Sequence, residues 1–243
     1  MARLITLFTI FFLSVIILGA TEKAWEQYER EFIHFRDTYD AEGMEKLIEK
    51  LEALPDKDYK TYTLLADALV EYALWGLPET ANKKEYYEKA RNYAEEAIKL
   101  NPDYAYAYFV RGAAIGRLAQ YVGILKSLFM VGDFDKSILK AIELDPRCYR
   151  AMVAMGMRYR DLPWPFKSYS KAEKFLLKAI KIEPRYINSY LELGILYQMW
   201  GKSKKAIETF QKVLELPPMK GFTAMGLEAK EEAKRRLKEL GAM

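Results

Sequence analysis

Thiol or imidazole chemistry would have to rest on Cys148 and His34, because the 243-residue chain holds no other cysteine or histidine. A structural zinc site takes four ligands and a Cys–His nucleophilic pair takes an orienting third group. The two residues lie far apart in sequence with no third partner of either type. His34, in Phe32-Ile33-His34-Phe35, reads as a helix-surface or packing residue. Cys148, after Pro146-Arg147, reads as a small buried apolar side chain. There is no Gly-rich phosphate loop and no Ser/His/Asp set, and the carboxylates are scattered over helix faces. The sequence therefore predicts a non-catalytic protein with no metal and no cofactor.

What remains is recognition chemistry. Tyr59, Tyr62, Tyr106 and Phe109 supply aromatic faces, and Arg117, Arg150 and Arg160 supply guanidinium groups. Met157, Asn188 and Gln198 complete the candidate set. Aromatics at one end and cations at the other suit a peptide, a protein segment or an amphipathic acid; alternatively, several of the tyrosines simply pack between helices. A second candidate is the loop from Asp161 to Ser168, where Pro163 and Pro165 fix the backbone and Trp164 and Phe166 offer apolar contact area.

These residues need elements to hold them, and an internal repeat supplies the elements. Ala97-Ile98-Lys99-Leu100-Asn101-Pro102, Ala141-Ile142-Glu143-Leu144-Asp145-Pro146, Ala179-Ile180-Lys181-Ile182-Glu183-Pro184 and Val213-Leu214-Glu215-Leu216-Pro217-Pro218 share one ending. Their prolines lie 44, 38 and 34 residues apart. The last unit carries Tyr190, Leu193, Gly194 and Tyr197, then Ala206, Phe210 and Val213, and resembles the tetratricopeptide repeat (TPR) closely. Gly194 and Ala206 are small because two helices cross there, and Pro218 stops the second helix. Met152, Met155, Gly156, Tyr159, Ala172, Leu176 and Ala179 repeat the scheme one unit earlier. Tyr108, Gly112 and Ala141 hold it earlier still, with Phe134 standing where Ala is expected.

The expected fold is all-α: a solenoid of TPR helix hairpins, about four to five repeats, with no sheet. Residues 1–20 are a signal or anchor, 21–57 an N-terminal hairpin, 58–222 the repeats with insertions, and 223–243 a charged capping helix. In such a stack the first helix of each hairpin lines a concave wall, and the ten recognition residues fall on it. The inner positions where a carboxylate clamp would need Asn hold Ala66, Ala113, Met157 and Ile195, so that clamp is absent. The 10-residue insertion, within Gly116 to Asp133, is apolar and must be covered by its own solenoid, another subunit, a ligand or a membrane surface.

Met1-Ala2-Arg3 precedes an apolar run from Leu4 to Leu18 that ends in Gly19-Ala20, the pattern of a secretory signal. The run is short for a bilayer span, yet an uncleaved anchor through residues 4–18 is the alternative. An exported protein, periplasmic or on the outer face of a membrane, follows. A net charge of +4, with Lys and Arg interleaved with Glu, gives no footprint for nucleic acid.

Ala113 to Gln120, the apolar insertion, Leu144-Asp145-Pro146, the Asp161–Ser168 loop and Lys171-Ala172-Glu173 together resemble the T-component family of TRAP transporters. The regulator-of-microtubule-dynamics proteins share a similar core. The resemblance implies an adaptor that partners a periplasmic solute-binding protein in uptake of organic acids or other hydrophobic small ligands. It also implies a homo-oligomer, in some members a trimer with a central pore. Members are often lipoproteins, whereas no Cys follows Ala20 here. The alternative function is a general cell-envelope scaffold for protein–protein interactions.

Overall fold

A computed structural model describes residues 25–243, so the expected signal or anchor at 1–20 lies outside the described residues. Helix α1 covers residues 25–38 and pairs with α2 (Ala41–Glu52). Four hairpins follow: α3 (Tyr59–Glu71) with α4 (Lys83–Leu100), α5 (Ala105–Leu118) with α6 (Ile124–Leu144), α7 (Tyr149–Asp161) with α8 (Tyr169–Ile182), and α9 (Ile187–Met199) with α10 (Ser203–Glu215). The last helix, α11 (Thr223–Glu239), packs on α9 and α10. Among the described residues there is no strand. The chain is the expected all-α TPR solenoid.

Local chemistry sets the boundaries. Asp40, Asp58 and Ser168 sit just before α2, α3 and α8, and each side chain accepts a hydrogen bond from the amide three residues on. Between hairpins one turn is used three times. Asn101, Asp145 and Glu183 each accept from the amide two residues later, at 3.1, 2.9 and 3.1 Å, around the proline that ends the preceding helix.

The repeat glycines mark helix crossings. A Cβ on Gly194 would run into the Phe210 ring, one on Gly112 would run into Ile138, and one on Gly156 would stand 2.6 Å from Leu176. Phe134 breaks the small-residue rule on α6, and the chain compensates on the facing helix. Its ring lies 3.0 Å from where a Cβ on Gly116 would be. The 10-residue insertion forms only a short 3₁₀ turn of its own, Ala119–Tyr121. It lengthens α6 at its N-terminus, so that α6 runs 21 residues against 13 for α10.

The hydrophobic core follows the stack in three buried groups. Phe32, Leu47, Leu51, Leu65 and Tyr87 fill the N-terminal one. Val110, Ile138 and Met155 fill the middle, and Leu176, Leu193, Phe210 and Leu237 the C-terminal one. Cys148 corrects one expectation: it is half-buried at the start of α7 rather than enclosed. His34 is exposed on α1, as a helix-surface residue should be.

Candidate binding surfaces

The two ends of the solenoid meet. Arg36 on α1 donates through Nε to the Gly221 carbonyl at 2.8 Å, and its guanidinium lies 4.0 Å over the Phe222 ring. Asp37 accepts from the Thr223 amide at 2.6 Å, giving α11 the N-terminal acceptor that Phe222 in the capping position cannot supply. Partial burial pushes the Asp37 carboxyl up, but the bonds from Thr223 and the Gly221 amide outweigh it and hold the group below its usual range. Tyr39, just past α1, has a left-handed backbone (φ 55°) and stacks 4.7 Å from Trp75. Its hydroxyl donates to Glu228 on α11 at 2.8 Å.

Between those ends the inner helices converge on a buried ionic cluster. Asp67 and Glu71 come from α3, Tyr106 and Phe109 from α5, and Arg150 from α7. Arg150 donates to the Tyr106 hydroxyl at 2.8 Å and to Glu71 at 3.2 Å, and lies 3.6 Å from Asp67. Its guanidinium also stands 4.6 Å over the Phe109 ring and 5.4 Å from that of Phe222. Arg36 approaches Asp67 from the other side at 4.0 Å. Tyr106 donates to Asp67, and Trp75 donates to Glu71 at 3.1 Å.

Two cations face two carboxylates, so the cluster is neutral when both acids are ionised. Burial pushes the Tyr106 phenol well up, with Asp67 adding to it against the pull of Arg150, so it stays protonated and donates. Burial opposes the Arg150 charge, but Tyr106, Asp67 and Glu71 more than offset this and raise its pKa. The Asp67 side chain is fully buried, and that of Arg150 is only 15% exposed.

This arrangement corrects the expectation of an open concave wall. Tyr106, Phe109 and Arg150 are brought together as expected, but their neighbours are this chain's own side chains. Arg160 is buried and paired with Asp161 and Glu192. Tyr59 packs edge-on against Tyr104 at 4.9 Å, and Tyr62 lies 5.9 Å from Tyr93, so these tyrosines pack between helices. Asn188 lines a cavity of only about 10 Å³ with Tyr186, Met219 and Met225, room for about one water-sized sphere. The expected organic-acid or hydrophobic ligand gains no room there.

Arg117, Met157 and Gln198 are different. They sit half-buried in the C-terminal halves of α5, α7 and α9, on the side of the cluster away from Tyr59. Gln198 accepts from Arg236 of α11 at 2.8 Å. Arg117 makes no ion pair among the described residues. The loop residues Trp164 and Phe166 are exposed in the turn between α7 and α8.

Sequence reasoning missed Arg36, Asp37, Asp67, Glu71 and Phe222. A buried Asp and Glu four apart in the apolar α3 were the available signal, since such residues are seldom enclosed without partners. Among the described residues no group of His, Cys, Asp and Glu could hold a metal ion. No described helix is long and apolar enough to cross a membrane.

Comparison with known proteins agrees with this geometry. The family model for regulator of microtubule dynamics protein 1-3 matches residues 30–160, and a tetratricopeptide-repeat model matches 175–208. The mitochondrial import receptor subunit TOM20-1 of Arabidopsis thaliana is 33% identical over 78 residues, 32% of this chain and 42% of that protein. The match thus spans less than half of the receptor subunit.

Among solved structures, a thermophilic TPR protein of Thermus thermophilus superposes with a TM-score of 0.68 at 16% identity. It covers 90% of this chain and 100% of its own. MamA from Desulfovibrio magneticus gives 0.50 at 19% identity over 79% of this chain and 94% of its own. Both likenesses concern the fold. The chain belongs to the regulator of microtubule dynamics protein 1-3 family and is a TPR protein of the protein-interaction type.

Proposed function

We propose that this member of the regulator of microtubule dynamics family is a non-catalytic adaptor that grips a segment of a partner protein. The grip lies on the open side of its inner face, along the C-terminal halves of α5, α7 and α9. One observation carries the reading. The self-made cluster around Arg150 takes up the middle of the face, while Arg117, Met157 and Gln198 keep accessible surface beside it. A cation without an ion pair, a flexible thioether and an amide suit a peptide that offers a carboxylate and an apolar side chain. The partial likeness to an import receptor subunit supports a protein as the partner.

Site-specific photocrosslinking tests this. A benzophenone side chain at Met157 or Gln198 should capture one partner from extracts of the source cell, and the same group at Lys178 on α8 should not. Equal capture from all three positions would remove the inner face from the account.

The solute-binding partner and the organic-acid cargo that the T-component resemblance implies rest on that resemblance alone. Export rests on the apolar run Leu4–Leu18. Mass spectrometry of the chain from its source decides the second point. A mature start near Thr21 marks a cleaved signal, and Met1 in a membrane fraction marks an anchor. Met1 in the cytosolic fraction would overturn export.

A further inference from the structure

The N-terminal extension of α6 and the α7–α8 loop form one apolar edge that neither the family nor the inner face accounts for. Ile124, Leu125 and Phe129 on the extension are 78%, 76% and 86% exposed, and Trp164 at the tip of the loop is 86% exposed. Leu125 and Phe129 are four residues apart and so share a face of the helix. Arg158 ties the two elements together. It holds Asp135 of α6 at 2.6 and 2.8 Å, and donates to the Phe166 carbonyl in the loop at 3.2 Å. Ile124, about three turns before Asp135, stands on the same side of α6 about 16 Å along its axis. The extension and the loop are thereby held on one edge of the stack.

We propose that this edge docks on an anionic lipid bilayer, with Phe129, Leu125 and Trp164 entering the headgroup layer. Charge decides among the covers an apolar patch could have. In a chain with 34 acidic residues, neither Gly116–Gly132 nor Leu162–Ala172 contains an Asp or Glu, whereas Lys126, Lys167 and Lys171 are all basic. The neighbouring acids Asp135 and Asp161 are paired with Arg158 and Arg160, leaving Asp133 as the exposed exception.

A two-fold contact with a second copy would set Lys126 and Lys167 against their own equivalents, which is repulsive. An anionic surface takes both features at once. Lysine stems lie along the apolar layer with their charges at the phosphates, and tryptophan prefers that interface. The patch protrudes instead of lining a groove, which a fluid surface accommodates and a rigid partner does not. The inference stands apart from the partner site on the inner face.

The test uses the full chain with Cys148→Ser and an environment-sensitive NBD label on Phe129→Cys, Trp164→Cys or, as control, Lys178→Cys. Vesicles are phosphatidylcholine alone or with about one-third phosphatidylserine. The labels at 129 and 164 should shift to the blue on the anionic vesicles only, and the label at 178 should not move. Lys126→Glu with Lys167→Glu should weaken this binding by at least about tenfold, at about fivefold per basic residue. Unshifted labels at 129 and 164, whether or not sedimentation finds the chain on the vesicles, would overturn the proposal. So would a shift that needs no lipid and grows with protein concentration, because that marks protein self-contact.

Discussion

Replacing Arg150 by Met tests whether the inner face is held shut by charge. The substitution keeps the aliphatic length and removes the hydrogen bonds to Tyr106 and Glu71, the 3.6 Å approach to Asp67 and the cation over Phe109. It leaves Asp67 and Glu71, with side chains 0% and 3% exposed, facing only Arg36, Trp75 and Tyr106. Breaking one partner of such a buried pair costs about 3–5 kcal/mol. For a domain of this size that is a fall in Tm of roughly 6–20 °C, at about 2–4 °C per kcal/mol.

Urea unfolding followed by tryptophan fluorescence and circular dichroism at pH 7.5 reads the penalty. A deficit below about 1 kcal/mol would mean the cluster does not hold the face.

Three further outcomes follow from other contacts. Gly194→Ala should destabilise the last repeat by about 1–3 kcal/mol through its contact with Phe210, and Phe210→Leu should recover part of this in the double variant, by urea titration. Asp37 contributes stability that is full above the unfolded Asp value near 3.8 and is lost as the pH falls through its lower folded value. Asp37→Ala should therefore increase hydrogen exchange at the start of α11 at pH 7, and the parent should approach that exchange behaviour only in stronger acid. Burial raises the Cys148 thiol above its ordinary value near 9, so alkylation at pH 8 should be slower than for a free cysteine and should speed up with rising pH.

The repeats were legible because their rules are local. Gly112, Gly156 and Gly194 fall ten residues after Pro102, Pro146 and Pro184, and each meets a side chain on its own hairpin partner. Even the Phe134 exception resolves within one hairpin, against Gly116. The positions assigned to the wall do fall on the inner helices, but consensus counting assumes an open superhelix. Closure depends on contacts such as Arg36 to Gly221, 185 residues apart, and no periodicity in the chain encodes them. The apolar insertion was visible as a segment in need of cover. That its tips stand exposed on the same edge as the α7–α8 loop follows from the lengthening of α6 and the bridge through Arg158, neither of which has a sequence signature.

The whole reading of the inner face depends on the first helix closing onto the last. Spin labels on His34→Cys and Leu227→Cys, both exposed positions on α1 and α11, in a Cys148→Ser background of the full chain, would measure that directly by pulsed electron resonance. Closure gives one short, narrow distance that broadens when Arg36→Ala and Asp37→Ala are added. A long or broad distribution in the parent would show an open solenoid, and would return Tyr106, Phe109 and Arg150 to the list of partner-facing residues.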